Sequence, residues 1–357
     1  MFRRLGFPRL NPLNLTVSLT YRCNSRCKTC NVYKKKVPEF SLEEFDKTFQ
    51  SIGRGPFWIT VSGGEPFLRE DIAEICKSAH ENCRPQIINI PTNGILSDVI
   101  YEKVAKIVRN LPQVQIIVNL SMDEIGAKHD EIRGVKNNFV RAKETFNRLK
   151  SLNYPNLTIG IHTVISKYNV DNFYNIHEEL SKLKPDSYIT EIAEERVELG
   201  TIGQNISPSV EAYGRAVDYL SKRIDARHFN GISAVTQAFR LQYYELVKKT
   251  LKEKRQVLPC FAGFVSAQIA PDGEVWACCI QAESMGNLRQ VNYDFKKVWL
   301  SERAQEVREP IRNKRCFCPL ANAGYTNMLL SCRTMAGIIK NMAAQKVKRI
   351  RSIDSGA

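Results

Sequence analysis

The chain has 357 residues, of which 43% are hydrophobic and 25% charged, with a formal net charge of +15. That is enough chain for a full core and two units, and no apolar stretch approaches the length that crosses a bilayer. The positive charge favours an anionic partner (nucleic acid, a phosphorylated substrate or an anionic membrane surface) without choosing among them.

The opening stretch MFRRLGFPRLNPLNL lacks the apolar run of a signal peptide. The eleven cysteines are clustered. Reduced thiols binding metal in the cytoplasm are therefore expected rather than disulfides.

In chain order, LTVSLT (15–20) reads as a strand running into Cys23, Cys27 and Cys30. Leu42, Phe45, Phe49 and Ile52 then recur at helical spacing behind a Ser41/Glu44 capping box. Strand FWITVS (57–62) ends at GGEP, and a helix over 70–80 turns Ile72, Ile75, Cys76 and Ala79 to one face. Strand QIINIPT (86–92) ends at NG, and a helix over 98–109 follows. Strand VQIIVNLS (114–121), a helix over 138–151, strand LTIGIHTVI (157–165), a helix over 172–183 and strand SYITEI complete the series.

Six strand–helix units imply a parallel sheet with apolar strands buried on both faces, curled into a full or partial barrel. Chemistry in barrels sits at the C-terminal strand ends. The cysteines, Gly63–Pro66, Thr92–Gly94, Ser121–Asp123 and Glu191 all fall there. Residues 205–256 read as a basic helical connector. From 257 to 335 cysteines return and PDGEVW marks a hairpin, which defines a second, smaller unit. Residues 336–357 form a basic tail, whose default is a helix packed on its own domain and whose alternative is contact with anionic lipid.

Three thiols within eight residues, with no fourth nearby, leave a four-iron cluster one protein ligand short. An open metal position is what catalysis needs and structure avoids. Here the chain resembles the radical S-adenosylmethionine (radical SAM) enzymes, whose signature Cys-x3-Cys-x2-Cys is present as Cys23, Cys27 and Cys30. Gly63, Gly64, Glu65 and Pro66 match the family's second-strand motif, where backbone groups receive the cofactor's amino group, and the glycines read as permitting close approach to it. Thr92 and Asn93 match the third strand end. The stretch SMDEIGAKHDEIRG resembles the one that brings Ser121 and Asp123 near the cofactor ribose and Arg133 near its carboxylate or the substrate. His129 and Asp130 read as support for that loop. Thr29 stands where many members carry an aromatic residue.

The resemblance implies a partial (β/α)6 barrel over residues 1–204 and a [4Fe–4S] cluster with S-adenosylmethionine. It implies reductive cleavage to a 5′-deoxyadenosyl radical that takes hydrogen from a substrate. An external electron donor of flavodoxin or ferredoxin type is then required.

Cys260, Gly273 and Cys278, followed by Cys316 and Cys318, resemble the start and close of a SPASM or twitch extension. The implied set for one auxiliary [4Fe–4S] cluster is Cys260, Cys278, Cys316 and Cys318, with Cys279 or Cys332 as replacements and a four-thiolate structural zinc as the rival. Such extensions accompany oxidation, crosslinking or rearrangement of peptides, carbohydrates, nucleotides or lipid-linked substrates. A first strand starting near residue 15 leaves no leader-binding domain ahead of it, which weighs slightly against a peptide. The charge and tail weigh slightly for a phosphorylated or lipid-linked substrate. Cys76 reads as core and Cys83 as a bystander. Glu191, Glu194, Glu195 and Glu198 read as a solvated acidic loop, one of which could serve as acid or base. His162 reads as a hydrogen-bonded core residue, and Tyr325 and Asn327 as cavity candidates. An RNA-modifying enzyme with the same cofactor and a non-enzymatic zinc scaffold are the alternatives.

Overall fold

The computed structural model describes residues 10–225 and 231–339. Its centre is a nine-stranded sheet in the order β6-β5-β4-β3-β2-β1-β7-β8-β9. Strands β1 (Asn14–Ser18), β2 (Trp58–Ser62), β3 (Ile87–Thr92), β4 (Gln115–Ser121), β5 (Leu157–Ile165) and β6 (Ser187–Ile192) are parallel neighbours. Between them lie helices α1 (Leu42–Ile52), α2 (Ile72–Cys83), α3 (Ser97–Asn110), α4 (Gly126–Arg133), α5 (Asn138–Ser151) and α6 (Phe173–Ser181). This is the expected partial barrel.

Strand alternation puts successive side chains on opposite faces. On the helix side Leu15, Val17, Ile59, Val61, Ile88, Ile90, Ile116 and Val118 share one core with Phe45, Phe49, Ile72, Ile75 and Cys76. Each such side chain fully buried contributes about 1.5–3 kcal/mol. The opposite face departs from the expectation of strands apolar on both sides. It carries Thr16, Ser18, Thr60, Ser62, Asn89, Asn119, Ser121, His162 and Glu191. Asn119 Nδ2 donates to Asn89 Oδ1 across two of these strands at 2.8 Å. The sheet therefore curls around a mixed interior, in which these polar groups alternate with Ile87, Ile117, Val164 and Ile189.

Helices α7 (Val210–Asp225) and α8 (Gly231–Glu253) cover the β6 edge. Tyr213, Val217, Tyr243 and Tyr244 bury against Ile165 and Ile192, and Thr190 bonds the Tyr244 hydroxyl at 2.9 Å. At the other edge, β7 (Ser266–Ile269) pairs parallel to β1, with Thr16 opposite Gln268. β8 (Glu274–Trp276) and β9 (Ser284–Asn287) continue antiparallel. Gly273 makes the β7–β8 turn at φ +89°, and a Cβ there would lie 2.4 Å from the Phe40 ring. Helices α9 (Phe295–Trp299), α10 (Glu302–Arg312) and α11 (Ala321–Leu329) complete the extension. Residues 340–357, most of the expected basic tail, lie outside the described residues.

One carboxylate ties the extension to the barrel. Glu44 Oε2 accepts from Ser41 N at 2.8 Å and closes the expected capping box on α1. The same carboxylate accepts two bonds from Arg289, at 2.6 and 2.9 Å, and one from Tyr293 at 2.9 Å. The Arg289 hydrogen bonds, against a burial cost, pull its pKa from 4.5 down to about 2. A carboxyl whose folded pKa lies below its unfolded one stabilises above the unfolded value and loses that stability as pH falls. Glu44→Ala is therefore expected to lower unfolding free energy by about 3 kcal/mol at neutral pH. In denaturant titrations the gap to wild type should close as pH drops from 4.5 toward 2.

Candidate active site

The three N-terminal thiols sit on the loop after β1, each partly buried. The loop is held on three sides. Arg26 N and Lys28 N donate to Arg133 O and Ile132 O, at 2.9 and 2.8 Å, on the end of α4. Asn31 N donates to Leu199 O at 2.8 Å. From the β2 end, Gly64 N and Glu65 N donate to Thr20 O and Arg22 O at 2.6 and 2.9 Å.

These last contacts also need the glycines. A Cβ on Gly63 would lie 2.3 Å from Thr20 O, and one on Gly64 2.1 Å from Arg22 O. The glycines let the cysteine loop lie against the end of β2.

Glu65 is buried, and it straps two strand ends together. Its Oε1 accepts from Thr92 Oγ1 at 2.8 Å and its Oε2 from Asn93 N at 2.8 Å. Burial pushes its pKa up to about 7, while these donors pull it back. Pro66 opens the short 3-10 turn that follows. Asn93 Nδ2 donates to Asn24 Oδ1 at 2.6 Å and stands 4.0 Å from Cys23 Sγ. Arg133 Nε pairs with Asp123 Oδ2 at 2.9 Å, and its Nη1 lies 3.7 Å from Cys27 Sγ. Asp123 Oδ1 also accepts from Val164 N at 2.9 Å. His129 is fully buried; its Nδ1 accepts from Asp123 N at 3.2 Å, and its Nε2–H faces Asn138 Oδ1 at 3.1 Å. Asp130 receives Asn137 N and Phe139 N at 2.6 and 2.8 Å. Ser121 ends β4 on the polar face, opposite His162. The structure thus brings Cys23, Cys27, Cys30, Glu65, Asn93, Asp123 and Arg133 into one network.

The donor set suits thiolate ligation. Cys23 Sγ receives Ser25 N at 3.4 Å, Cys30 Sγ receives Val32 N at 3.5 Å, and Cys27 Sγ faces the Arg133 guanidinium. Hydrogen bonds to the charged form favour it. Burial opposes it, holding Cys23 at about 11 and Cys30 at about 12. A metal is the remaining source of positive charge that three such sulfurs call for.

The later cysteines form a second group. Cys260, Cys316 and Cys318 line one cavity with Gln256, Leu258 and Asn327. Gln256 Nε2 points at Cys316 Sγ at 3.7 Å. The charge states of Cys260 and Cys316 bear on Cys278, and those of Cys260 and Cys278 on Cys318. Cys279 is buried, packed with Cys260 and Cys318, and its sulfur lies 3.7 Å from Arg196 Nη1. Cys332 is exposed.

Several sequence expectations change here. The segment after β6 is not a solvated acidic loop, because the extension docks on it. Val197 N donates to Ile280 O at 3.0 Å and Glu198 N to Cys279 O at 3.3 Å. Glu194 is buried, and Glu198 bonds Gln268; burial raises the pKa of both, Glu194 to about 7. Arg196, which sequence reading missed, pairs with Glu194 at 2.9 Å. Only Glu195 is a loop brace, accepting from Gly203 N and Asn205 N at 2.7 and 2.6 Å. His162 Nε2 has no hydrogen-bond partner among the described residues and lies 3.7 Å from Glu191 on the polar face. Tyr325 stacks on Tyr243 at 4.9 Å within the helical core and does not line the cavity at the later cysteines, whereas Asn327 does line it, and its Oδ1 accepts from Phe261 N at 2.8 Å. Cys76 and Cys83 are both buried, the Cys83 thiol facing Phe49 O at 3.6 Å.

The Radical SAM superfamily profile matches residues 17–180, which hold the cysteine loop and the first five strands. The chain carries a radical SAM domain. A SPASM profile, described as an iron–sulfur cluster-binding domain, matches residues 260–319 of this radical SAM enzyme. The two domains bring a [4Fe–4S] cluster, S-adenosylmethionine and an auxiliary cluster, and they remove the non-enzymatic scaffold from consideration. When bound, the cofactor pair supplies radical hydrogen-atom abstraction.

The chain is 24% identical to the antilisterial bacteriocin subtilosin biosynthesis protein AlbA of Bacillus subtilis over 87% of its own length and 66% of AlbA. It is 25% identical to Fe-coproporphyrin III synthase of Methanosarcina barkeri over 84% of its length and 76% of that protein. Streptococcus suis SuiB bound to S-adenosylmethionine shares the fold, with a TM-score of 0.64 and 15% identity, over 86% of this chain and 70% of SuiB. The chain thus spans about two thirds to three quarters of the length of these relatives. Among the described residues no helix is long and apolar enough to cross a membrane.

Proposed function

We propose that this radical SAM enzyme oxidises or crosslinks a peptide, with Cys23, Cys27 and Cys30 holding the cofactor cluster and Cys260, Cys278, Cys316 and Cys318 the auxiliary one. The single observation behind the substrate class is the polar face of the barrel. None of the six barrel strands carries a Lys or Arg. The strands themselves offer a phosphate or other anion no cation, and Arg196, which reaches within 3.9 Å of Glu191, is already paired with Glu194. Hydroxyls and carboxamides from Thr16, Ser18, Thr60, Asn89 and Asn119 suit the amides of a peptide, which need both donors and acceptors. The anionic substrate expected from net charge is accordingly not the one proposed. A relative named for biosynthesis of a bacteriocin agrees with a peptide.

The chain's own residues divide the work. Glu65, Asn93, Asp123 and Arg133 hold the cysteine loop against the ends of β2, β3 and β4. Gly63, Gly64, Pro66, Thr92 and Ser121 frame the space above those strands, where S-adenosylmethionine would lie. The β5–β6 wall, with His162 and Glu191, is left to face the substrate. Residues 193–198 join that wall to the extension that carries the auxiliary thiols. A reducing compartment, the cytoplasm, keeps all eleven thiols available.

The test is anaerobic incubation of reduced enzyme and S-adenosylmethionine with an extract of the cells that make it. Stimulated 5′-deoxyadenosine formation should vanish after the extract is digested with protease. Stimulation that survives protease but is lost to nuclease or lipid extraction contradicts the peptide reading.

A further inference from the structure

We infer that Arg196 is a positioning residue for the auxiliary thiols: its guanidinium holds a positive charge beside them and makes the cluster they hold easier to reduce. The inference rests on that cluster being held by Cys260, Cys278, Cys316 and Cys318. Arg196 lies on the segment that leaves β6, where Val197 N and Glu198 N bond Ile280 O and Cys279 O at 3.0 and 3.3 Å. The segment is thereby fastened to the turn that carries Cys278. Arg196 Nη1 lies 3.7 Å from Cys279 Sγ, and Cys279 shares an apolar cluster with Leu320, Ala323, Cys260 and Cys318. Arg196 Nη2 pairs with Glu194 Oε1 at 2.9 Å and lies 3.9 Å from Glu191 Oε2. Glu194 bears on the same thiols: burial raises the Cys318 pKa, and the Glu194 charge raises it further. An ion pair with one member of each sign thus stands at the auxiliary group.

This pair is out of water. Glu194 is 7% exposed and the Arg196 side chain 19%, so each charge acts on its neighbours with little screening. Among the described residues Arg196 is the only Lys or Arg paired with Glu191 or Glu194. Its Nε has no hydrogen-bond partner among the described residues, and neither has Glu194 Oε2. Taking a guanidinium out of water costs several kcal/mol, which one carboxylate in contact does not fully offset. Negative sulfurs nearby supply the rest.

An iron–sulfur cluster on four thiolates is anionic, and its reduction adds one electron with no bond made or broken. Its potential follows the net charge around it and the hydrogen bonds near its sulfurs. A cation at this place stabilises the reduced form more than the oxidised one. Loss of the Arg196 charge should therefore lower the potential, and loss of the Glu194 charge should raise it. A salt bridge that only fastened the extension to the barrel would give no such reversal of sign.

The test uses full-length Cys23→Ala/Cys27→Ala/Cys30→Ala protein, in which the auxiliary cluster alone gives a signal. Arg196→Gln, Glu194→Gln and Arg196→Lys are added to it one at a time. Each protein is titrated anaerobically with dithionite and redox mediators, at a pH above the raised Glu194 value of about 7. The reduced cluster is read by electron paramagnetic resonance. At the parent's midpoint Arg196→Gln should hold about tenfold less reduced cluster relative to oxidised, a downward shift of roughly 59 mV for one electron. Glu194→Gln should shift upward, and Arg196→Lys, which keeps the charge, should stay near the parent. An unchanged midpoint in Arg196→Gln overturns the inference. Shifts of the same sign in Arg196→Gln and Glu194→Gln also overturn it, and assign the pair to holding the extension in place. If Arg196→Gln does not retain iron, Glu194→Gln decides alone, and an unmoved midpoint there overturns the inference. A parent protein without iron overturns the auxiliary-cluster assignment itself, a failure readable apart from the others.

Discussion

Cys27→Ala protein, reconstituted anaerobically and reduced, should form no 5′-deoxyadenosine above background, whereas Cys83→Ala should form it at close to the wild-type rate. The two thiols differ in what surrounds them. Cys27 is part of a loop whose three sulfurs all meet donors, and its own is the Arg133 guanidinium at 3.7 Å. Removing it leaves two thiolates for a four-iron cluster and an arginine facing nothing. A loss of at least about a thousandfold follows, because the chemistry belongs to the cofactor and the cofactor loses its seat. Cys83 is buried at the end of α2. Its loss removes one sulfur from a core and costs about 1 kcal/mol of stability. Equal rates in the two variants would refute the assignment.

The second large effect concerns iron content. Cys278→Ala should lose about four irons per chain, while Cys279→Ala and Cys332→Ala should keep them. In the proposed set Cys278 joins Cys260, Cys316 and Cys318, whereas Cys279, which also packs on Cys260 and Cys318, has an arginine 3.7 Å from its sulfur, and Cys332 is exposed. Iron analysis reads the difference. Loss of iron in Cys279→Ala with retention in Cys278→Ala would reverse the ligand set. Zinc replacing iron throughout would restore the structural-zinc reading of this group.

Much of this fold was legible because its signals are local. The Ser41/Glu44 box, the Phe45/Phe49 stripe and the apolar strands each announce themselves within a few residues. Helix α4 escaped notice: GAKHDEIR buries only His129 and Ile132. The polar barrel face was present in the sequence as Thr16/Ser18, Thr60/Ser62 and Asn119/Ser121 at alternate positions, yet it was read over as part of an apolar run.

What the sequence could not show depends on distant contacts. The sulfur of Cys279 is 83 positions from Arg196 along the chain. Glu194 and Glu198 look like solvated charges until the extension covers them. Gly63 and Gly64 were legible as a motif, but their tight fit to the backbone of Thr20 and Arg22, brought onto the end of β2 by the fold, was not.

The central claim is that the N-terminal cluster keeps one iron free of protein so that S-adenosylmethionine can bind it. The direct measurement is electron paramagnetic resonance of the reduced Cys260→Ala/Cys278→Ala protein, which retains only that cluster. Adding S-adenosylmethionine should shift its signal and, with isotope-labelled cofactor, show coupling from the cofactor's amino nitrogen to the cluster. A reduced cluster whose spectrum is the same with and without the cofactor would mean that the fourth iron is already taken, and the account would fail.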